Sequence, residues 1–228
     1  MDEESIPKNW SFIPEFYFDL ISRIPPGIFL TLILLFEFGF FKSTNFDTFV
    51  KLEAGPSFLL LFASIITGQT LGIFLSAIGK KISEKIYSNK IFNNYRKQDF
   101  ELFNWFIETL KIKLEIPNKI DTKDSQFLYR EITEFVKSNS GKSGIILPKL
   151  SAEASVCNNS VAAILVATII HLLHCIFYSG DSFYHWSTYI WTILILSALL
   201  WIGKERYQRM IKTLIALLRN SYNKNEKK

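Results

Sequence analysis

A charged insert opens with KKISEKIYSNKIFNNYRK (residues 80–97), runs to Leu150 and separates two pairs of long apolar segments. This insert, Lys80–Leu150, holds 14 of the chain's 26 Lys and Arg residues. Lys and Arg beside membrane-spanning segments are retained on the cytoplasmic side of the membrane. The insert therefore predicts its own cytoplasmic location, and with it the direction of every apolar segment around it.

The composition is that of a membrane protein. Of 228 residues, 49% are hydrophobic, and the long apolar runs exceed what a soluble domain of this size usually contains. The formal net charge is +5, which basic cytoplasmic flanks explain without a nucleic-acid partner. The opening residues, MDEESIPKNW, are acidic and predict no cleaved signal peptide.

Four apolar segments predict four transmembrane helices in two hairpins. They run from Ile24 or Ile28 to Phe41, from Ser57 to Gly79, from Ala154 to Phe177 and from Ser187 to Gly203. The loops within each pair carry few Lys and Arg, whereas the tail, Lys204–Lys228, carries eight against two Glu. This charge distribution predicts a membrane protein with both termini and the insert in the cytoplasm.

The predicted fold class is an all-α integral membrane protein with four transmembrane helices in two hairpins and a small helical cytosolic insert. Its five regions are the N-terminus with an interfacial helix (1–27), the first hairpin (28–79), the insert (80–150), the second hairpin (151–203) and the basic tail (204–228). We expect the tail to stay in the cytoplasm and to form an amphipathic helix through Leu218 that ends in disorder.

Apolar residues at helical spacing predict two amphipathic helices within the insert. The first stripe contains Phe103, Phe106, Ile107, Leu110 and Leu114, and the second contains Leu128, Ile132, Phe135 and Val136. In the segment before them, Ile82, Ile86 and Tyr95 predict a loosely apolar side. Helices this short predict a small core that depends on the membrane part or on oligomerisation.

A proline-containing motif precedes the first span. Asp19 and Arg23 are spaced for an ion pair within a helix, and Pro25 with Pro26 predicts the end of that helix. We therefore expect an interfacial entry helix followed by a hinge into the first span. The alternative is a moving gate or a partner-binding element.

The motif reads aromatic-Asp-Leu-Ile-x-Arg-Ile-x-Pro-Gly, from Phe18 to Gly27, with Asp19, Arg23 and Pro26 as its fixed points. It resembles the opening of uncharacterised bacterial multi-pass membrane proteins, some of them associated with phage-defence loci. The resemblance is confined to this stretch. It implies a component of the bacterial inner (plasma) membrane that works with a cytosolic partner, and it transfers no catalytic residue.

Small residues recur every fourth position in the second span, at Ser64, Gly68, Gly72 and Ser76. Small residues at this spacing let two helix backbones approach closely in lipid, where apolar area alone does not bring helices together. The stripe predicts a helix-packing face. This face either seals the chain's own bundle or meets a second copy in a homo-oligomer, and the sequence leaves both alternatives open.

An intramembrane polar cluster is predicted near the outer surface. Glu37, His171 and His174 should lie at similar depth, and Gln69 is a further buried amide. An ionisable side chain within a span is unfavourable unless it is paired, hydrated or neutral. We interpret the cluster as a polar clasp between helices, without a metal or cofactor. A proton-linked switch and a metal site of two His and one carboxylate are the alternatives.

These features favour a non-enzymatic, oligomeric subunit that couples the membrane to a cytosolic protein partner. An oligomeric channel or pore is the first alternative, with its path lined by Gln69, Thr70, Asn159 and the histidines. An intramembrane or lipid-active enzyme that uses Glu37 and the two histidines is the second. Nucleotide binding is not expected, because the P-loop-like end Gly141-Lys142-Ser143 has Val136 where its first glycine should stand.

Overall fold

The computed structural model describes residues 12–37, 54–114, 125–139, 146–178 and 186–226, and all of them are helical apart from a turn at Asp99. The helices are α1 (Phe12–Glu37), α2 (Ala54–Ser83), α3 (Asn89–Gln98), α4 (Phe100–Leu114), α5 (Ser125–Asn139), α6 (Ile146–Tyr178) and α7 (Trp186–Glu226). One π-helical turn, Glu84–Ser88, joins α2 to α3. The predicted all-α class is confirmed.

Three of the described helical stretches are long and apolar enough to cross a membrane. They are Tyr17–Leu35, Leu61–Gln98 and Ile146–Phe177. The apolar part of α7, residues 189–203, is followed at once by Lys204, and a straight span needs about 20 apolar residues. Length and composition thus indicate a multi-pass membrane protein, while the fourth span stays a prediction.

Helix α1 continues through Pro25 and Pro26. The prediction that these prolines end an interfacial helix is therefore wrong, and the first candidate span, Tyr17–Leu35, begins before them. Proline removes a backbone donor and disturbs the preceding turn. A membrane helix tolerates this where a neighbouring helix supplies the missing hydrogen bond, and one does so here, as described below.

The chain divides into two compact units. The first, which we call the membrane-type unit, comprises Phe16–Ile82 and Ala152–Gly203. Its core joins α1, α2 and α6 through Leu30, Leu75, Ala162, Ala163 and Ala167. Large apolar side chains lie on its outside, among them Phe62, Phe74, Ile176 and Trp201. An apolar exterior around a core of small residues is expected where the surrounding solvent is lipid.

The second unit, which we call the helical unit, contains the described residues of Ser83–Ser151 and Lys204–Lys228, together with the start of α1. The predicted apolar stripes of α4 and α5 are confirmed for the buried residues Phe103, Phe106, Ile107, Leu110, Leu128, Ile132 and Val136, and Phe135 is half-buried. The side chain of Leu114 lies outside the described part of the structure. The segment before the stripes differs from prediction, since Ile86 is exposed. Its buried side carries Tyr87, Ile91 and Phe92.

The C-terminal part of α7 completes the core of the helical unit. It buries Met210, Ile211, Leu214, Ile215 and Leu218. The Tyr129 hydroxyl lies 3.4 Å from Met210 Sδ, and the rings of Trp105 and Tyr222 meet with centroids 5.2 Å apart. The predicted amphipathic helix is confirmed, and helices of the insert cover its apolar face. Its predicted end at Leu218 is wrong, because the helix continues to Glu226.

Candidate functional site

A hydrogen bond from α6 satisfies a backbone oxygen that a proline leaves free in α1. In an α-helix the N–H of each residue donates to the carbonyl four residues earlier. Pro26 has no N–H, so the carbonyl of Ser22 lacks its usual donor. The Asn159 side chain donates through Nδ2 to this oxygen over 2.8 Å, and Ser22 and Asn159 are both buried. Asn159 thus replaces a lost backbone bond and ties α6 to α1.

Hydroxyl groups of α1 are bonded within their own helix. Ser22 Oγ donates to the carbonyl of Asp19 over 2.9 Å, and Thr31 Oγ1 donates to the carbonyl of Gly27 over 2.9 Å. Such bonds satisfy buried hydroxyl groups and tend to bend a helix slightly. These bonds stay within α1, whereas the bond from Asn159 joins α6 to α1.

The predicted Asp19–Arg23 ion pair is confirmed, with Arg23 Nη2 2.7 Å from Asp19 Oδ2. The Asp19 side chain is 55% exposed and that of Arg23 is 29% exposed, so screening leaves this pair a small contribution to stability. Arg23 Nε is buried and has no hydrogen-bond partner among the described residues. Arg23 directly follows Ser22 in the sequence, so the ion pair lies at the same end of the membrane-type unit as the bond from Asn159.

Glycines bring the backbones of α1 and α2 into direct contact. A Cβ at Gly27 would overlap the carbonyl oxygen of Gly68, and a Cβ at Gly72 would overlap the backbone of Arg23. Close approach of this kind requires small residues. Of the rest of the predicted packing stripe, Ser64 is exposed and Ser76 is half-buried. Because α1 of the same chain occupies the two glycines, a second copy would have to pack elsewhere.

Gly79 makes a corresponding contact between α2 and α6, which the sequence interpretation missed. A Cβ there would lie 2.8 Å from the carbonyl group of Asn158 and 2.9 Å from Asn159 Oδ1. Gly79 follows Gly72 by about two helical turns, and this spacing is the signal that could have identified it. We call the meeting point of Ser22, Pro26, Gly79 and Asn159 the polar junction.

Helix α6 points a small and polar face into the bundle over part of its length. Asn159, Ala163 and Ala167 are buried, whereas His171 and His174 are only half-buried. His171 Nε2 lies 3.5 Å from Cys175 Sγ. Within the described residues, no group of three or more His, Cys, Asp or Glu side chains is arranged to hold a metal ion.

The predicted contact of Glu37 with the histidines stays a prediction, because the Glu37 side chain lies outside the described part of the structure. The backbone position of Glu37 in α1 can be compared with that of His174 in α6. Glu37 lies as many residues after Ser22 as His174 lies after Asn159, and Ser22 and Asn159 are in contact. Gln69 is half-buried, and its Oε1 has no hydrogen-bond partner among the described residues.

Two tyrosines in the helical unit are held neutral. Burial raises the pKa of Tyr129, and burial followed by the nearby Tyr129, Tyr87 and Glu84 raises the pKa of Tyr207. Their rings lie with centroids 6.5 Å apart, and Tyr207 also meets Tyr87 at 5.9 Å. These side chains act as packing and hydrogen-bonding groups of the insert and tail.

Comparisons with known proteins give no relative: no family model matches the chain, and no curated protein or solved structure matches significantly. The interpretation of the polar junction and of the helical unit therefore rests on their own geometry.

Proposed function

We propose that the chain is a non-enzymatic subunit of a bacterial inner membrane that couples the membrane to a cytosolic protein partner. The observation that carries this proposal is the division of one chain into a unit with an apolar exterior and a unit with a polar exterior and its own packed core. Helices α6 and α7 contribute residues to both units.

The proposed topology has four spans, with the helical unit and both termini in the cytoplasm. The fourth span is the apolar part of α7, in which Ile193, Leu194 and Ile195 are exposed together, as expected for a helix surrounded by lipid. Trp191 and Trp201 lie toward its two ends, where aromatic rings anchor helices at the membrane interface. The basic residues that follow favour the cytoplasmic side.

The proposal includes self-assembly through a surface other than the Gly68 and Gly72 contact. The resemblance of Phe18–Gly27 to proteins from phage-defence loci extends it to a sensor or effector in antiviral defence. A channel formed by several copies is the second candidate, favoured by the unpartnered Oε1 of Gln69 in α2. Ion flux through liposomes that contain the purified protein would support the channel and count against the subunit.

Site-specific photo-crosslinking in cells tests the coupling. A photoreactive residue placed at exposed positions of the helical unit, such as Gln126 or Asn220, should give an adduct with one cytosolic protein. The same residue at lipid-facing Phe74 serves as the matched control and should give none. Failure to form an adduct from every exposed position of the helical unit, in cells that carry the native neighbouring genes, would contradict the proposal.

A further inference from the structure

The π-helical turn and α3 expose one side that carries a single sign of charge. The exposed residues between Glu84 and Gln98 are Lys85, Ile86, Asn89, Lys90, Asn94, Lys97 and Gln98, with no carboxylate among them. Lys85 and Lys90 are one π-helical turn apart, and Lys97 follows two α-helical turns later, about 18 Å from Lys85 at 1.5 Å per residue. We call Lys85, Lys90 and Lys97 the lysine stripe.

The opposite side of this segment is fixed in the core. Tyr87 contacts Tyr207 with ring centroids 5.9 Å apart, and Phe92 contacts Phe103 and Tyr129 at 5.7 and 5.8 Å. The segment therefore cannot turn its apolar side outward without unfolding the unit. An interfacial helix binds lipid by burying such a side in the membrane, so this segment cannot bind a lipid surface in that way.

Three carboxylates of the helical unit form ion pairs with arginines outside the stripe. Asp99 pairs with Arg219, Glu205 with Arg209 and Glu131 with Arg130. The lysines of the stripe form no ion pair with any residue that the structure describes. Their charge is thus left uncompensated within the described unit, and an acidic surface would complement it.

The chemistry of the stripe favours a polypeptide over a nucleic acid. Single-stranded nucleic acids bind through aromatic side chains that stack on bases as well as through cations, but Tyr87 and Phe92 face the core. Three lysines neutralise about three phosphates, which gives weak binding at physiological salt. Ile86 is 53% exposed within the stripe and offers an apolar contact that suits an acidic amphipathic segment.

We propose that the lysine stripe docks an acidic polypeptide segment of the cytosolic partner. This inference rests on the proposed function, because it specifies the chemistry of the partner assigned there. The three ammonium groups pair with carboxylates spaced along the segment, and Ile86 contacts an apolar side chain between them. Since the ion pairs are partly exposed, docking weakens as the salt concentration rises.

The test measures the binding of a short fluorescent glutamate-rich peptide containing leucine to the full chain in nanodiscs of neutral lipid. The stripe variant carries Lys85→Gln, Lys90→Gln and Lys97→Gln. The matched control carries Lys149→Gln, Lys204→Gln and Lys212→Gln, which removes the same charge from exposed positions of the same unit. Three partly exposed ion pairs predict about tenfold weaker binding for the stripe variant and less than about twofold for the control.

Equal loss in both variants would overturn the proposal, since it would show a general response to charge. Undetectable binding to the wild type would overturn it too, as would stripe-dependent binding that is tighter to single-stranded DNA or to anionic vesicles. Membrane insertion of each variant is measured in parallel. Failure of the wild type to insert counts against the proposed function, whereas insertion without peptide binding counts against the docking surface alone.

Discussion

Replacement of Asn159 with Ala should destabilise the membrane-type unit in a way that depends on Pro26. In the wild type, Asn159→Ala leaves the buried Ser22 carbonyl without either its backbone donor or its side-chain donor. In a Pro26→Ala background, residue 26 regains an N–H that can donate to the same carbonyl. The loss of Asn159 should then matter less.

The magnitude follows from the burial of that oxygen. An unsatisfied buried acceptor costs about 1–3 kcal/mol, while interhelical side-chain bonds in membranes contribute about 0.6–1.7 kcal/mol. We therefore expect Asn159→Ala to lower the free energy of unfolding by about 1–2 kcal/mol in the wild type. The coupling energy between the two substitutions should be about 1 kcal/mol, because the cavity left by Asn159 is the same in both backgrounds.

Pro25→Ala provides the matched control. It restores an N–H to the carbonyl of Ile21, four residues earlier, and should leave the effect of Asn159→Ala unchanged. The assay is reversible unfolding of the purified protein in mixed micelles, followed by circular dichroism as the fraction of denaturing detergent rises. An equal effect of Asn159→Ala in all three backgrounds would refute the reasoning, as would equal coupling to Pro25 and to Pro26.

Four further predictions concern single side chains. Gly72→Leu should lower the melting temperature of the detergent-solubilised chain, because a side chain there meets the Arg23 backbone. The control Ala77→Leu, at an exposed position of the same helix, should not lower it. Equal melting temperatures of the two variants would contradict the contact. The raised pKa of Tyr207 means that the folded state holds this proton more tightly than the unfolded state. The contribution of Tyr207 to the free energy of unfolding is therefore fully present below about pH 10 and is lost as the pH rises above it. The melting temperature should fall less steeply above about pH 10 in Tyr207→Phe than in the wild type. Leu214→Ala should expose the tail to limited proteolysis, with a loss of about 2–5 kcal/mol, since Leu214 is 1% exposed. Asp99→Asn should change stability by less than about 1 kcal/mol, because its partner Arg219 is 57% exposed.

The sequence predicts those features that depend on local spacing. The stripes of α4 and α5 follow from helical periodicity, and the Asp19–Arg23 pair follows from one helical turn. The continuity of α1 is different, because the donor that compensates for Pro26 lies 137 residues away from Ser22 in Asn159. No local rule connects a proline in one helix with an amide in another.

The tail and the glycines show the same limit. An apolar stripe in Lys204–Lys228 indicates that one side of the helix is shielded from water. It does not indicate whether lipid or protein covers that side. The stripe containing Gly68 and Gly72 likewise predicts a close helix contact without naming its partner. In both cases the structure supplies the partner, which is the insert for the tail and α1 for the glycines.

Cysteine accessibility in intact cells tests whether a membrane-spanning part is joined to a cytoplasmic helical unit. In a chain with Cys157→Ser and Cys175→Ser, single cysteines are introduced as Gln126→Cys, Asn223→Cys or Asn45→Cys. A membrane-impermeant maleimide should label only the cysteine at position 45 in intact cells, and all three after permeabilisation. Labelling at position 126 or 223 in intact cells would contradict the claim.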